Sequence, residues 1–470
     1  MTSTVELPLW LFILILLFAV VTFASHFLFP SVRWFFRRRL ERAVARLNAR
    51  LDRPIQPFKL ARRYDMIQRL IYDPQVIHAV AEHARAEGVP ENVAFEQARR
   101  YAKEIVPAFS ASAYFGFAIR AARMLSNALF RVRLGYFDTQ GLSDIDKDAT
   151  AVFVMNHRSN MDYVLVTYLA AERSALSYAV GEWAQVWPLS RLIRAMGAYF
   201  IRRKSRNELY RRVLARYVHM ATQAGVTQAM FPEGGLSRTG ALMAPKLGLL
   251  KYIVEGFDPR ENDVVFVPVA INYDRVLEDR NLIAAAHNPG GRFNAGIGVV
   301  ARNTLKQIWL RMTGRYHRFG YAAVSFGTPV SLRDYSADRG GDVLEPLAGE
   351  LMARIGEIVP VLPVPLVAWL FLKNGPMTRA QVETGLSNLI RLLPTAHVHL
   401  PRHNRDYAAE VGLRQLVERR VLTESNGHYS PVTQEGALLE FYANSIRHLI
   451  PEKSGADSAN ANENSASAGS

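Results

Sequence analysis

The heptapeptide Asn156-His157-Arg158-Ser159-Asn160-Met161-Asp162 sets an imidazole and a carboxylate with four residues between them, just after a short apolar run. A carboxylate in the first turn of a following helix reaches back to one ring nitrogen of His157. It fixes the tautomer and raises the basicity of the other nitrogen, which then accepts a proton from a hydroxyl. The outcome is a nucleophilic alcohol with no covalent enzyme intermediate. Alone the pair has little weight, because a chain with 12 histidines produces such a spacing by chance. A surface or satisfied core histidine is the ordinary alternative.

Three further clusters bear on it. Gly197-Ala198-Tyr199-Phe200-Ile201-Arg202-Arg203 puts two guanidinium groups straight after an apolar strand, and guanidinium holds phosphate in bidentate fashion. The alternative is a basic solvated helix start, since Lys204, Arg206, Arg211 and Arg212 follow. Phe231-Pro232-Glu233-Gly234-Gly235-Leu236-Ser237-Arg238-Thr239-Gly240 has adjacent glycines that let a ligand approach the backbone, with Ser237, Arg238 and Thr239 as donors and Lys246 as a nearby cation. It is not a Walker loop, and a plain turn is its alternative. The fourth, around Pro268, reads by itself as a core strand carrying one proline.

These clusters need a scaffold. Short apolar runs fall at 151–155, 176–180, 198–201, 227–231, 263–271 and 321–326, with helical stretches at 163–171, 189–196 and 207–224 between them. Such alternation predicts an α/β fold, a mostly parallel or mixed sheet flanked by helices. Functional groups then gather at the carboxyl ends of strands, where His157, Arg202, Arg203 and Glu233 all fall. The aromatic stretch 109–130 fits an amphipathic helix on a bilayer or on a protein core. The apolar segment 360–372 is too short for a membrane span. Residues 376–450 read as helical.

Length and charge bound the rest. The chain has 470 residues, a net charge of +15 and no cysteine, which excludes disulfides, thiolate metal sites and a cysteine nucleophile. The charge suits a phosphate-bearing partner. Nucleic acid is not expected, because aromatics are not interleaved with the basic runs as a stacking platform requires. No Gly-x-Ser-x-Gly elbow supports a serine hydrolase. Between residues 7 and 32 there is no charged side chain, whereas Arg33, Arg37, Arg38, Arg39, Arg42 and Arg46 follow. A run of about 20 apolar residues spans a bilayer, and the arginines after it place the remainder on the cytoplasmic side.

In this order the four clusters resemble the blocks of the glycerolipid acyltransferase superfamily, most closely its bacterial membrane-bound glycerol-3-phosphate acyltransferases. The likeness runs over about residues 150–280 and faintly into 438–449. It implies acyl transfer from an acyl thioester, on CoA or acyl carrier protein, to the sn-1 hydroxyl of glycerol 3-phosphate. No metal or cofactor is then needed beyond that co-substrate. By the same resemblance His157 is the general base and Asp162 its orienting partner. Arg158, Ser159, Gly197, Arg202, Arg203, Gly234, Gly235, Ser237, Arg238 and Lys246 become substrate-binding residues. Glu233 places the glycerol hydroxyls, and Pro268 shapes the acyl-donor side. Leu236 departs from the pattern, since the family has Arg there. That leaves 1-acylglycerol 3-phosphate open as the acceptor, and an inactive membrane-tethered anionic-ligand binding protein as a reading of another class. The chain is shorter than the longest members, so their extra N-terminal region is expected to be missing.

The expected organisation is an inner-membrane, single-pass anchor over 7–32 and a basic helical, membrane-apposed region over 33–149. An acyltransferase domain over 150–375, a helical C-terminal region over 376–451 and a disordered tail over 452–470 follow. The expected partners are the phosphorylated acceptor, the thioester and membrane lipids.

Overall fold

A computed structural model describes residues 8–170, 174–181, 189–202, 207–287 and 319–451, with Gln185 and Ser205. The tail 452–470 lies outside the described residues. The chain divides into two compact units, 1–55 with 172–174, and the remainder.

In the first unit a 40-residue helix runs Leu9–Asn48. The Asn48 side chain ends it by binding the backbone amide of Ile55 at 2.9 Å. Ten large apolar side chains from Leu9 to Val20 are 50–76 % exposed. Among the described residues no helix is long and apolar enough to cross a membrane. Within the predicted span over 7–32, the side chains of residues 7, 21 and 23–32 lie outside the described set.

The second unit is built on an eight-stranded mixed sheet. Its strands are β1 (Arg131–Phe137), β2 (Thr150–Met155), β3 (Ser177–Gly181), β4 (Tyr199–Ile201), β5 (Gln228–Met230), β6 (Val264–Tyr273), β7 (Tyr321–Phe326) and β8 (Val330–Ser331). The order is β1-β7-β6-β2-β5-β3-β4, with β8 on β6. Strands β6, β2, β5, β3 and β4 run parallel, while β7 is antiparallel to β6.

Strands β2 and β6 are buried at every position, so apart from Thr150 and Asn272 their sequences run apolar rather than alternating. The alternation survives in where the side chains go. Ala151, Phe153 and Met155 of β2, with Val267, Val269 and Ile271 of β6, face a core that includes the helices Met161–Leu169, Pro363–Asn374 and Gly436–Ala443. Val152, Val154 and Phe266 face the other core, covered by the helices Arg63–Ile71, Pro74–Glu87, Glu91–Ile105, Glu208–Gln223 and Leu344–Glu357.

A proline inside a central strand needs an explanation. On one side of β6, Val265 and Phe266 pair with β8 and Val269 to Tyr273 pair with β7. Pro268 sits in the gap between those ladders, where no amide is called for, and its carbonyl accepts from the Gly327 amide at 2.8 Å.

Two features differ from the reading of the apolar runs. β1 is an edge strand whose paired partner lies 190 residues on, and its half-exposed, arginine-bearing sequence gives no apolar run. Residues 376–450 are not wholly helical: β9 (Met377–Thr378), β10 (Leu422–Ser425) and β11 (His428–Pro431) form a small antiparallel sheet turned at Asn426-Gly427. The segment 360–372 is the start of a helix in the core. The stretch 109–130 is helical over Ser112–Leu129, buries Ala122, Ser126 and Leu129, and leaves Phe117 and Met124 exposed.

Candidate active site

β2 lies between β5 and β6, so the residue after its carboxyl end is flanked by the ends of two parallel neighbours. Asn156 prolongs the ladder with its side chain: its amide group donates to the Ile271 carbonyl at 3.0 Å and accepts from the Ile271 amide at 2.8 Å. His157 follows, and its carbonyl accepts from the Ser237 amide at 2.9 Å, which ties the loop after β5 to the loop after β2.

His157 Nδ1 lies 2.9 Å from Asp162 Oδ2. The same oxygen accepts from the amides of Arg158 at 2.7 Å and Ser159 at 3.0 Å, while Oδ1 accepts from the Tyr273 hydroxyl at 2.7 Å. Asp162 is wholly buried and its two oxygens accept from four donors. The proton of the neutral imidazole therefore resides on Nδ1, which leaves Nε2 as the basic nitrogen. Phe231 stacks on the ring at 4.0 Å and fixes its plane. Tyr163 meets it edge-on.

Behind this pair stands a second layer. Ser159 Oγ donates to Glu278 at 2.8 Å and accepts from the Met161 amide at 3.1 Å, so it caps the helix that carries Asp162. Glu278 also takes the Asn160 amide at 3.3 Å, and burial pushes its carboxyl upward. Ser159 thus faces the scaffold and does not line the cleft.

Arg158 is fully enclosed. One arm binds the Gly240 carbonyl, the guanidinium lies 5.2 Å from the Phe441 ring, and Nε and Nη2 have no partner among the described residues. Glu233 beside it is 1 % exposed and neither carboxyl oxygen has a hydrogen-bond partner of good geometry. Burial raises its pKa to about 8, although Arg158 and the backbone amides of Met243 and His157 draw it back.

A cleft of about 920 Å³ opens above the sheet edge and includes His157. Ile201, Leu214, Met230, Leu236, Leu249 and Leu282 give it an apolar wall; Arg202, Arg211, Arg238 and Lys246 give it cations. Among the described residues no Asp or Glu lines it. Gly234 and Gly235 line it too, and Gly234 has φ 67° with the Lys246 stem across its face. Ser237 is buried at its margin, donating to the Ala241 carbonyl at 2.6 Å. Arg202 is held bidentately by Glu104, at 2.9 and 2.6 Å.

Gly197 and Pro268 do not line the cleft. Gly197 has φ 85°, and a side chain there would meet Lys59 and Phe109 at 2.9 Å, so the glycine serves close packing. Arg203 lies outside the described residues. Tyr273, Glu278 and Glu104 were not singled out by the sequence. Only the run Tyr273-Asp274-Arg275-Val276-Leu277-Glu278, polar residues directly after a buried strand, signals the first two. Among the described residues no group of three or more His, Asp or Glu is placed to hold a metal ion.

The C-terminal region closes this site from behind. Asn444 donates to the Thr239 carbonyl at 3.0 Å, and Arg419, Asp279 and Tyr442 form a buried cluster beside it. A Cβ on Gly240, which has φ 84°, would fall 1.8 Å from the Phe441 carbonyl oxygen.

A buried histidine–aspartate pair at the carboxyl edge of a mixed sheet, next to a cationic and apolar cleft, defines an acyltransferase-type site. Residues 137–272 match the acyltransferase family, and residues 309–466 match the glycerol-3-phosphate acyltransferase C-terminal region. The chain therefore carries an acyltransferase match and a glycerol-3-phosphate acyltransferase C-terminal match over these two regions. It is similar to the glycerol-3-phosphate acyltransferase of Ectopseudomonas mendocina, 28% identical over 83% of this chain and 49% of that one. The enzyme of the same name from Shewanella amazonensis is 28% identical over 87% and 53%. The chain thus spans about half the length of the curated relatives it matches. Among solved structures, the 1-acyl-sn-glycerophosphate acyltransferase of Thermotoga maritima is 22% identical over 51% of this chain and 79% of that one, with a TM-score of 0.29.

Proposed function

We propose that the chain transfers an acyl group from an acyl thioester, on CoA or acyl carrier protein, to the sn-1 hydroxyl of glycerol 3-phosphate. The observation that carries this reading is the Nδ1–Asp162 contact at 2.9 Å inside a fully satisfied carboxylate site. Nε2 of His157 takes the hydroxyl proton as the oxygen attacks the thioester carbonyl. The tetrahedral intermediate expels the thiolate, which receives that proton from the imidazolium, so an ester and a thiol result. Asp162 stabilises the transient imidazolium. The thioester supplies the driving force, so the chain's work is to bind, orient and deprotonate.

The cleft suits an acceptor and donor of this kind. Arg238, Lys246 and Arg211 offer charge for a phosphate, and the apolar wall offers room for an acyl chain. Arg202 joins them when Glu104 releases it. Glu233, largely protonated near neutrality, lies buried behind Gly234 and Gly235, so its placing of the glycerol hydroxyls requires that loop to open. The helix Leu9–Asn48, apolar and exposed over its first turns, anchors the chain in the inner membrane with the second unit on the cytoplasmic side. The ester product then passes directly into lipid.

Leu236, on the apolar wall, favours one second reading, in which 1-acylglycerol 3-phosphate is the acceptor and its acyl chain lies on that wall. Product analysis by lipid mass spectrometry separates them. Purified full chain supplied with palmitoyl-CoA should convert glycerol 3-phosphate to a monoacyl product. Conversion of only the monoacyl acceptor would assign the second reading.

A further inference from the structure

Away from the cleft, a second cavity of about 340 Å³ lies beside edge strand β1. Arg131, Arg133 and Arg402 line it together with Asn127, Tyr321 and Tyr407. Among the described residues none of the three arginines has a carboxylate within ion-pair distance. Arg131 instead donates to the Tyr321 hydroxyl at 3.3 Å and to the Tyr407 hydroxyl. Arg414, itself 3.8 Å from Glu410, acts on Tyr407, and Arg133 acts on His399. Three uncompensated guanidinium groups facing one small space repel each other by an amount that a bound anion removes.

The backbone gives a second, independent indication. Arg402 and His403 are consecutive non-glycine residues at φ 57° and 54°. Side chains rarely adopt that region, and residues found there are held in it by their surroundings. The turn brings Arg402 to the cavity, over the Tyr407 ring at 4.3 Å. Ordinary packing does not require this, since Arg402 is exposed. β1 is parallel to β7, and β7 is antiparallel to β6, so Arg131 stands at the same edge of the sheet as Tyr273 and the catalytic histidine.

We propose that this cavity is a second anion site, which binds a phosphate group through Arg131, Arg133 and Arg402 independently of the catalytic cleft. Planar guanidinium pairs with phosphate oxygens in bidentate fashion, and the two tyrosine hydroxyls supply further polar contacts. The phosphate belongs either to a soluble ion or to the headgroup of an anionic phospholipid.

The test uses detergent-solubilised full chain. Binding of inorganic phosphate is measured by calorimetry, and binding to phosphatidylcholine vesicles with and without phosphatidylglycerol by co-flotation. Each is compared across wild type, the pair Arg131→Gln with Arg402→Gln, and the cleft pair Arg238→Gln with Lys246→Gln. The first pair should weaken phosphate or phosphatidylglycerol-dependent binding at least tenfold while the cleft pair retains it. Loss in the calorimetric arm assigns a soluble phosphate, and loss in the vesicle arm a lipid headgroup. Arg131→Lys with Arg402→Lys, which keeps the charge and the fold, should restore part of the affinity. Unchanged binding of both probes by the Gln pair would overturn the proposal, as would loss only in the cleft pair.

Discussion

Replacing Asp162 by asparagine separates the charge of the carboxylate from its geometry. Oδ2 accepts three N–H groups, from His157, Arg158 and Ser159, whereas Oδ1 faces only the Tyr273 hydroxyl. An asparagine therefore has one comfortable orientation: its oxygen towards the three donors and its NH2 towards Tyr273, whose hydroxyl can reverse and accept. The Nδ1–H tautomer survives, and so does the fold. What disappears is the negative charge beside the imidazolium. Opposite charges about 4 Å apart attract by about 4 kcal/mol at an effective dielectric near 20. At 1.36 kcal/mol per decade, kcat should fall by about 10² to 10³. A triad aspartate replaced in the same way loses about 10⁴ because its histidine takes the wrong tautomer; the Tyr273 arrangement is what moderates the loss here. Tyr273→Phe alone should cost less than about tenfold. In the Asp162→Asn background it should cost more, since the amide NH2 is then buried without an acceptor. The assay is the initial rate of free-thiol release from palmitoyl-CoA with saturating acceptor, with thermal unfolding as the control for folding. An Asp162→Asn enzyme within fivefold of wild type, or strictly additive losses in the double variant, would refute the reasoning.

Further outcomes follow from the same geometry. Glu233 keeps its proton up to about pH 8 in the folded chain, while in the unfolded chain it ionises near its ordinary value of 4.5. Between these limits the folded state binds more protons, so stability falls as pH rises across that window. Relative to Glu233→Gln, wild type should lose up to about 4 kcal/mol between pH 4.5 and 8, read from denaturant unfolding at each pH. Glu104→Gln should release Arg202 into the cleft and lower the KM for glycerol 3-phosphate several-fold with little change in kcat; a raised KM would show that Arg202 does not meet the acceptor. Gly240→Ala should destabilise by more than about 3 kcal/mol, because its Cβ meets the Phe441 carbonyl oxygen and φ is positive. Arg419→Ala should cost about 3–5 kcal/mol by leaving buried Asp279 without its ion pair. Both are read from thermal or denaturant unfolding of the full chain.

The pattern of the sheet was legible because β2, β5, β6 and β7 are buried on both faces and are therefore mostly apolar, with Thr150, Gln228, Asn272 and Ser325 as their buried polar members. β1 was not, since an edge strand with Arg131 and Arg133 facing a polar cavity has no reason to be apolar. The short hairpin at 422–431 hid within charged residues for the same reason. The histidine–aspartate pair could be read because both partners sit within one strand-to-helix turn. Tyr273 and Glu278, which complete the pair's surroundings, come from more than 100 positions away, and nothing in local spacing announces such a contact. Glu104 on Arg202 is invisible for that reason as well. Gly197 was assigned to substrate through the family resemblance, whereas its backbone turns to admit Lys59. Whether Arg158 and Ser159 touch substrate depended on which way their side chains point, and both point into the scaffold.

His157 as the general base is the claim on which the account rests, and one comparison addresses it most directly. Membranes carrying wild type or His157→Ala, matched for amount of folded chain, are given acyl-CoA with and without glycerol 3-phosphate, and thiol release is followed. The account predicts acceptor-dependent release by wild type and a fall of at least about 10³ in the variant. Acceptor-dependent release that survives His157→Ala within tenfold would contradict it.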